Sequence, residues 1–174
     1  MTPLELLHRN KNEVGLTLIE VVIYLAIMAV FISSAFLLVS RSLENAERTR
    51  IKTETSANVE FVARKIEWAM NGAETVNFPA ANSFSTQFSI NKFDSSSNPI
   101  VFALSGDKIT LSKSGGTAIN LTNDNVRVGK FLAEHFSTAE NPSTLKITLS
   151  LENKSGGRLS GIASTTLKMF FVVE

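Results

Sequence analysis

From Leu16 to Val39 the chain is Leu, Ile, Val, Ala, Phe and Met, interrupted by Thr17, Glu20, Tyr24, Ser33 and Ser34 and free of Lys, Arg, Asp, Gly and Pro. A bilayer core takes roughly 20 apolar residues as one helix, so this run predicts a membrane-spanning helix. Past Val39 the pattern turns amphipathic. Residues 40–71 hold no Pro or Gly and are rich in Glu, Arg, Lys and Ala. Glu44 and Arg48, and Glu60 and Arg64, stand four apart, the spacing that brings side chains together on a helix. Val59, Val62, Ile66, Ala69 and Met70 recur on one face, and Asn71-Gly72 supplies a stop. The spacing therefore predicts a second, soluble half of the same helix, with Trp68 and Met70 packing beneath whatever follows.

After Gly72 the period changes to two. Stretches rich in β-branched and aromatic residues predict strands over 74–78, 84–90, 100–105, 108–112, 117–121, 126–136, 145–152 and 164–173. The turns between them include Ser105-Gly106-Asp107, Lys113-Ser114-Gly115-Gly116 and Asn153-Lys154-Ser155-Gly156-Gly157. Ile109, Leu111, Ile119 and Leu121 alternate with polar residues, as do Leu145, Ile147, Leu149 and Leu151, which predicts sheets with one buried and one wet face. A long helix followed by a meander gives an α+β fold, the helix laid on one face of an antiparallel sheet. Four segments follow: a leader over 1–15, the membrane half of the helix over 16–39, its soluble half over 40–72 and a sheet domain over 73–174.

Glu20 is the odd residue of the apolar run. An ionised carboxylate at the centre of a membrane helix costs roughly 2.5 to 3.5 kcal/mol on insertion scales, so it requires a partner. A cut after Gly15 would create one in the α-amino group of Leu16, on the same chain or on a neighbouring molecule. The leader before the run is unlike an ordinary secretory signal, whose small-residue cut follows the apolar core. Here the only Gly in position precedes the core, and the helix is retained as an anchor. Arg9 and Lys11 lie just before the span, which favours a cytoplasmic leader and an outward C-terminal part.

Gly15-Leu16-Thr17-Leu18-Ile19-Glu20, continued by Val21-Val22-Ile23-Tyr24-Leu25-Ala26-Ile27, resembles the class III signal and N-terminal helix of type IV pilins and type II secretion pseudopilins. The resemblance implies a prepilin peptidase that cuts between Gly15 and Leu16 and methylates the new N-terminus. It also implies that Glu20 pairs with the terminal amine of an adjacent subunit during assembly. The partners it implies are other pilin or pseudopilin subunits, an inner-membrane assembly platform driven by a cytoplasmic ATPase, and membrane lipid before assembly. The hairpin from Phe102 to Ile109 leading to Asn120-Leu121-Thr122, and the final long pair 144–152 and 164–173, resemble the larger minor subunits, the J-type pseudopilin and its pilus counterpart. The K-type tip subunit lacks the acid that Glu20 supplies.

Composition narrows the chemistry. The 174 residues suffice for one domain plus an anchor, and a net charge of +1 announces no polyanion partner. With no cysteine, disulfides, thiolate catalysis and Cys-ligated metal sites are all excluded. His8 and His135 are the only histidines, and His135 between Glu134 and Phe136 reads as a residue at the solvent edge of a strand. No nucleophile elbow, spaced calcium loop or phosphate loop is present: Ser114-Gly115-Gly116 and Ser155-Gly156-Gly157 open no helix, and Asp94, Asp107 and Asp124 follow no EF-hand spacing. Asn120-Leu121-Thr122 and Asn153-Lys154-Ser155 match the glycosylation pattern by chance. No catalytic, cofactor-binding or metal residue is expected. Lys108, Lys113, Arg127, Lys130, Lys146, Lys154, Arg158 and Lys168 form a basic excess in the strand region, but without aromatic-basic interleaving a solvated face is the simpler reading than nucleic-acid binding.

Three functions from different classes remain at this level. A structural filament subunit is favoured, in a pilus, competence filament or secretion pseudopilus. A filament-borne module binding DNA or a surface would depend on the lysines and arginines of the sheet. A single-pass anchored envelope protein or enzyme that never assembles would be indifferent to Gly15 and Glu20.

Overall fold

The computed structural model describes residues 17–93, 95–138, 141–154 and 164–173. The leader, the Gly15-Leu16 junction, Asp94, Arg158 and the Ser155-Gly156-Gly157 turn lie outside the described residues. The chain divides into two compact units, Met1–Asn45 and Ala46–Glu174.

Helix α1 runs from Leu18 to Met70 without a Gly or Pro to interrupt it. Thr17 caps its start: the Thr17 Oγ1 accepts the Glu20 N–H at 3.4 Å, and the Thr17 carbonyl accepts the Val21 N–H at 3.2 Å. In the first unit the described part of α1 buries nothing, and its Leu, Ile, Val, Phe and Met side chains are exposed throughout. In the second unit it buries Ile51, Thr55, Val59, Val62, Ala63, Ile66, Ala69 and Met70, which includes the whole predicted stripe. The helix ends where predicted. The Glu67 carbonyl accepts the Asn71 N–H at 2.9 Å, and Gly72 follows at φ 81°, a left-handed conformation that a residue with a Cβ resists.

Nine strands follow: β1 (Ala73–Phe78), β2 (Ser83–Ser85), β3 (Gln87–Lys92), β4 (Ile100–Ser105), β5 (Lys108–Lys113), β6 (Ile119–Asn120), β7 (Val126–Thr138), β8 (Asn141–Asn153) and β9 (Ser164–Val173). They form two antiparallel sheets, β1-β3-β4-β5-β6 and β2-β7-β8-β9. The packing of a long helix on antiparallel strands makes the fold α+β and pilin-like. Its core joins the helix stripe to both sheets. Phe88 and Phe102 stack with ring centroids 4.8 Å apart, and Phe131 tilts onto Phe88 at 6.2 Å. Ile100, Ile109, Leu145, Ile147, Leu149 and Leu151 are fully buried around them.

The structure departs from the sequence pattern at four places. The expected single strand over 84–90 is two strands in different sheets: β2 pairs with β7 and β3 with β4, the chain crossing between sheets at Thr86. Local alternation carries no information about which distant strand supplies the hydrogen bonds, so one sheet was expected where two exist. Ile119 is 57% exposed because β6 is a two-residue edge strand with no neighbour beyond it. His135 faces inward instead of standing at a solvent edge. Trp68 is 43% exposed while Met70 is buried. Two residues are about 200° of rotation on an α-helix, so Trp68 lies across the helix from both Ile66 and Met70.

Candidate functional site

The polar side chains of the apolar run find their partners within their own helix. Ser33 donates its hydroxyl to the Ala29 carbonyl at 2.7 Å, and Ser34 donates to the Phe31 carbonyl at 2.8 Å. These bonds hide the serine donors against their own helix. Glu20 sits in the first turn, where the positive end of the helix dipole favours an acid. Its carboxylate does not turn back to close a capping box on Thr17. Instead Tyr24, one turn deeper, donates its phenol hydroxyl to Glu20 Oε1 at 3.0 Å. Tyr24 is the only tyrosine of the chain, and sequence reading left it without a role. The four-residue interval between acid and phenol was the signal that identifies the pair.

Around the pair, α1 presents an unbroken apolar surface. Ile19 is 69% exposed, and Phe31 and Phe36 about as much. By length and composition this is a helix able to cross a membrane. The site is therefore an acid with one intrahelical donor, set in the first turn of an uncovered apolar helix.

In the second unit a further acid stands out. Glu54 Oε1 accepts the side-chain amides of Asn123 at 2.8 Å and Asn125 at 2.6 Å, while Asn58 Oδ1 accepts the Asn123 N–H at 3.2 Å. This clamp ties the segment before β7 to the helix. In sequence, Glu54 is indistinguishable from the other surface acids of the helix, because its partners are about seventy residues away.

The basic residues of the strand region are largely engaged. Lys108 pairs with Asp124, Lys154 with Asp107 at 2.7 Å, Arg127 with Glu152 at 2.9 Å and Lys146 with Glu134 at 2.6 Å. The hydrogen bond from Lys154 holds the Asp107 carboxyl below its usual range, and that from Lys108 does the same for Asp124. The bond to Asp107 in turn raises Lys154. Lys113 and Lys92 place their ammonium groups 4.3 and 4.8 Å from the centre of the Trp68 ring. Of the three aspartates considered for calcium, Asp107 and Asp124 each answer a lysine and Asp94 lies outside the described residues; among the described residues no group of three His, Asp or Glu side chains stands ready for a metal ion.

His135 is buried. Its Nδ1 donates to the Pro79 carbonyl at 2.8 Å, and its Nε2 has no hydrogen-bond partner among the described residues. His135 lies within the sheet, paired in register with Ser83 of β2 on one side and Leu145 of β8 on the other.

Against this geometry, the model of the prokaryotic N-terminal methylation motif matches residues 10–36. The matched segment contains Gly15, Leu16, Glu20 and Tyr24 and most of the apolar run. It marks the chain as carrying a prepilin signal of the type IV pilin-like kind, with prepilin peptidase and other pilin subunits as the partners such a signal implies. Comparisons with curated proteins and with solved structures give no match.

Proposed function

We propose that the chain is a structural subunit of a type IV pilin-like filament, a minor pilin or pseudopilin whose work is assembly and not turnover. The observation that carries this is the methylation motif over residues 10–36, whose part from Leu18 onward lies on a helix with Glu20 in its first turn and an uncovered apolar surface. A membrane-resident prepilin peptidase cuts between Gly15 and Leu16 and methylates the Leu16 amine. Before assembly the helix sits in the inner membrane with the sheet unit outside the cytoplasm. An assembly platform then lifts it into the filament, where the lost lipid contacts are replaced by apolar helices of other subunits.

Within that step Glu20 and a neighbouring subunit's Leu16 amine neutralise each other. Tyr24 has a definite part here. Its hydroxyl satisfies the carboxylate while no cation is available, and draws it inward, away from the end where the chain's own amine lies. The uninterrupted helix and the long strands β7, β8 and β9 support a minor subunit of the J type. The pilus, the competence filament and the secretion pseudopilus share this chemistry, and the reading covers all three. The pairing of Lys108, Arg127, Lys146 and Lys154 with acids gives no support to a nucleic-acid-binding module.

The decisive experiment is co-expression with a prepilin peptidase, followed by N-terminal sequencing of the membrane-bound product. A methylated start at Leu16 is the expected result. An intact Met1 would return the anchored-protein reading to first place.

A further inference from the structure

The sheet β2-β7-β8-β9 packs one face and leaves the other open. Directly opposed residues of an antiparallel sheet share a face. One open row reads Phe84, Glu134, Lys146, Phe170 across the four strands, and the adjoining row reads Phe136, Thr144, Val172. Phe84, Phe136, Phe170 and Val172 are exposed by 73, 47, 65 and 61%. A single exposed apolar residue needs no explanation, but here two apolar pairs, Phe84 with Phe136 and Phe170 with Val172, stand on one face on either side of the Glu134–Lys146 pair and Thr144, and apolar area gathered on one face marks an interaction surface. Between Phe84 and Phe136 lies an open cleft of about 180 Å³, bordered by Asn82 and Ser83, with room for a side chain from outside.

The charges of this face say what the occupant carries. Among the described residues its two carboxylates are engaged, Glu134 by Lys146 and Glu152 by Arg127. Lys168 lies on the same face two residues before Phe170, across from Thr148. Lys130 joins it because a bulge at Gly129 breaks the alternation between Val128 and Lys130. Both lysines are exposed, and among the described residues neither meets a carboxylate. The face therefore carries two apolar pairs, with Lys168 in the row next to Phe170 and Lys130 one row further on, both unanswered among the described residues.

We propose that this face docks the globular domain of a different filament subunit, one presenting apolar side chains flanked by carboxylates. The proposal rests on the filament reading above and names a partner surface for it. A second copy meeting it through the same face is a poor occupant, since two such faces brought together set lysines against lysines with no free acid among their described residues to answer them. A lipid surface is a poor one too. It would bury the Glu134–Lys146 pair in the middle of the apolar row with no further hydrogen-bond partners, a desolvation that the pair's mutual attraction does not reliably offset.

The test places photoreactive benzoylphenylalanine at position 170 of the full-length chain in cells making the complete set of filament subunits. A parallel chain carries it at position 119, on the edge strand of the other sheet. The expected product is an adduct from position 170 alone, identified by mass spectrometry as a different subunit that bears its own methylation motif. The adduct should be lost in the Lys130→Glu, Lys168→Glu double variant, whose exposed sites leave the fold intact. A self-adduct, a lipid adduct, no adduct, or an adduct indifferent to charge reversal would each overturn the docking proposal. A chain that is cut and assembled but gives one of those outcomes fails this proposal alone. A chain neither cut after Gly15 nor found in filaments removes the functional reading and the docking surface with it.

Discussion

Tyr24 donates its phenol hydroxyl to Glu20 Oε1 across one turn of helix, at 3.0 Å. A hydrogen bond to a charged group contributes roughly 1.5 to 3 kcal/mol, and the contribution matters most where lipid offers no replacement. The Tyr24→Phe variant keeps the ring and deletes only the donor. We expect it to be cut and methylated normally but to enter filaments less efficiently than the parent, short of complete loss. The measurement is the ratio of filament-borne to membrane-borne mature protein; a ratio equal to the parent's would deny the phenol any part in presenting the acid.

Processing and assembly should separate at two neighbouring residues. Gly15→Val crowds the peptidase site with a branched side chain, and full-length precursor should accumulate in the membrane. Glu20→Ala should be cut at the normal position and then fail to assemble, since the incoming amine meets no counter-charge. Immunoblotting of membrane and sheared-filament fractions distinguishes the two. Normal assembly of Glu20→Ala would refute the pairing mechanism, and normal cutting of Gly15→Val would show that the junction lies elsewhere.

Glu54 clamps the segment before β7 through Asn123 and Asn125. Glu54→Ala leaves both amides without their acceptor, but they remain near solvent, so we expect a loss of roughly 1 to 3 kcal/mol and a lower thermal midpoint. Glu54→Gln should retain part of it, because its amide oxygen still accepts. A midpoint unchanged in both variants would mean that the clamp is incidental.

How much of this was legible depended on whether the relevant partner was near in sequence. The helix, its buried stripe from Val59 to Met70 and the stop at Gly72 follow from local spacing, and β4 and β9 begin and end where alternation puts them. Glu20 was visible because a charge in an apolar run has no local excuse. Tyr24 was visible in principle at the same four-residue interval, but its ring passes as one more apolar residue. The division of residues 84–90 between two sheets, the inward turn of His135 and the Glu54 clamp all depend on residues dozens of positions away. Periodicity describes one face of one element and names no partner. The bulge that turns Lys130 outward belongs to the same class, because strict alternation puts it on the same face as Val128.

Trp68, the only tryptophan, is half-exposed with the ammonium groups of Lys92 and Lys113 over its ring. Iodide should therefore quench its fluorescence more than caesium does, since the two lysines concentrate anions at the indole. Lys113→Ala should reduce the difference. Equal quenching by the two ions, or resistance to both, would place Trp68 in a different setting from the one described.

The last prediction concerns pH. The hydrogen bonds from Lys154 and Lys108 lower the folded-state pKa of Asp107 and Asp124 from 3.8. A carboxyl with a depressed folded pKa binds fewer protons folded than unfolded, so its contribution is fully present above the ordinary value and lost as pH falls through the folded one. Lys154 runs the other way: raised from 10.5, it contributes below that value and loses the contribution as pH climbs through its higher folded pKa. The hairpin turn at Asp107 should thus be held to Lys154 across the neutral range and loosen at both extremes, first noticeably below the usual aspartate range. Hydrogen exchange at the amides of residues 105–108 checks this. Asp107→Asn should abolish the acid-side change at this turn while leaving the Asp124 side responsive, and an acid-side change that persists in Asp107→Asn would assign it to another group.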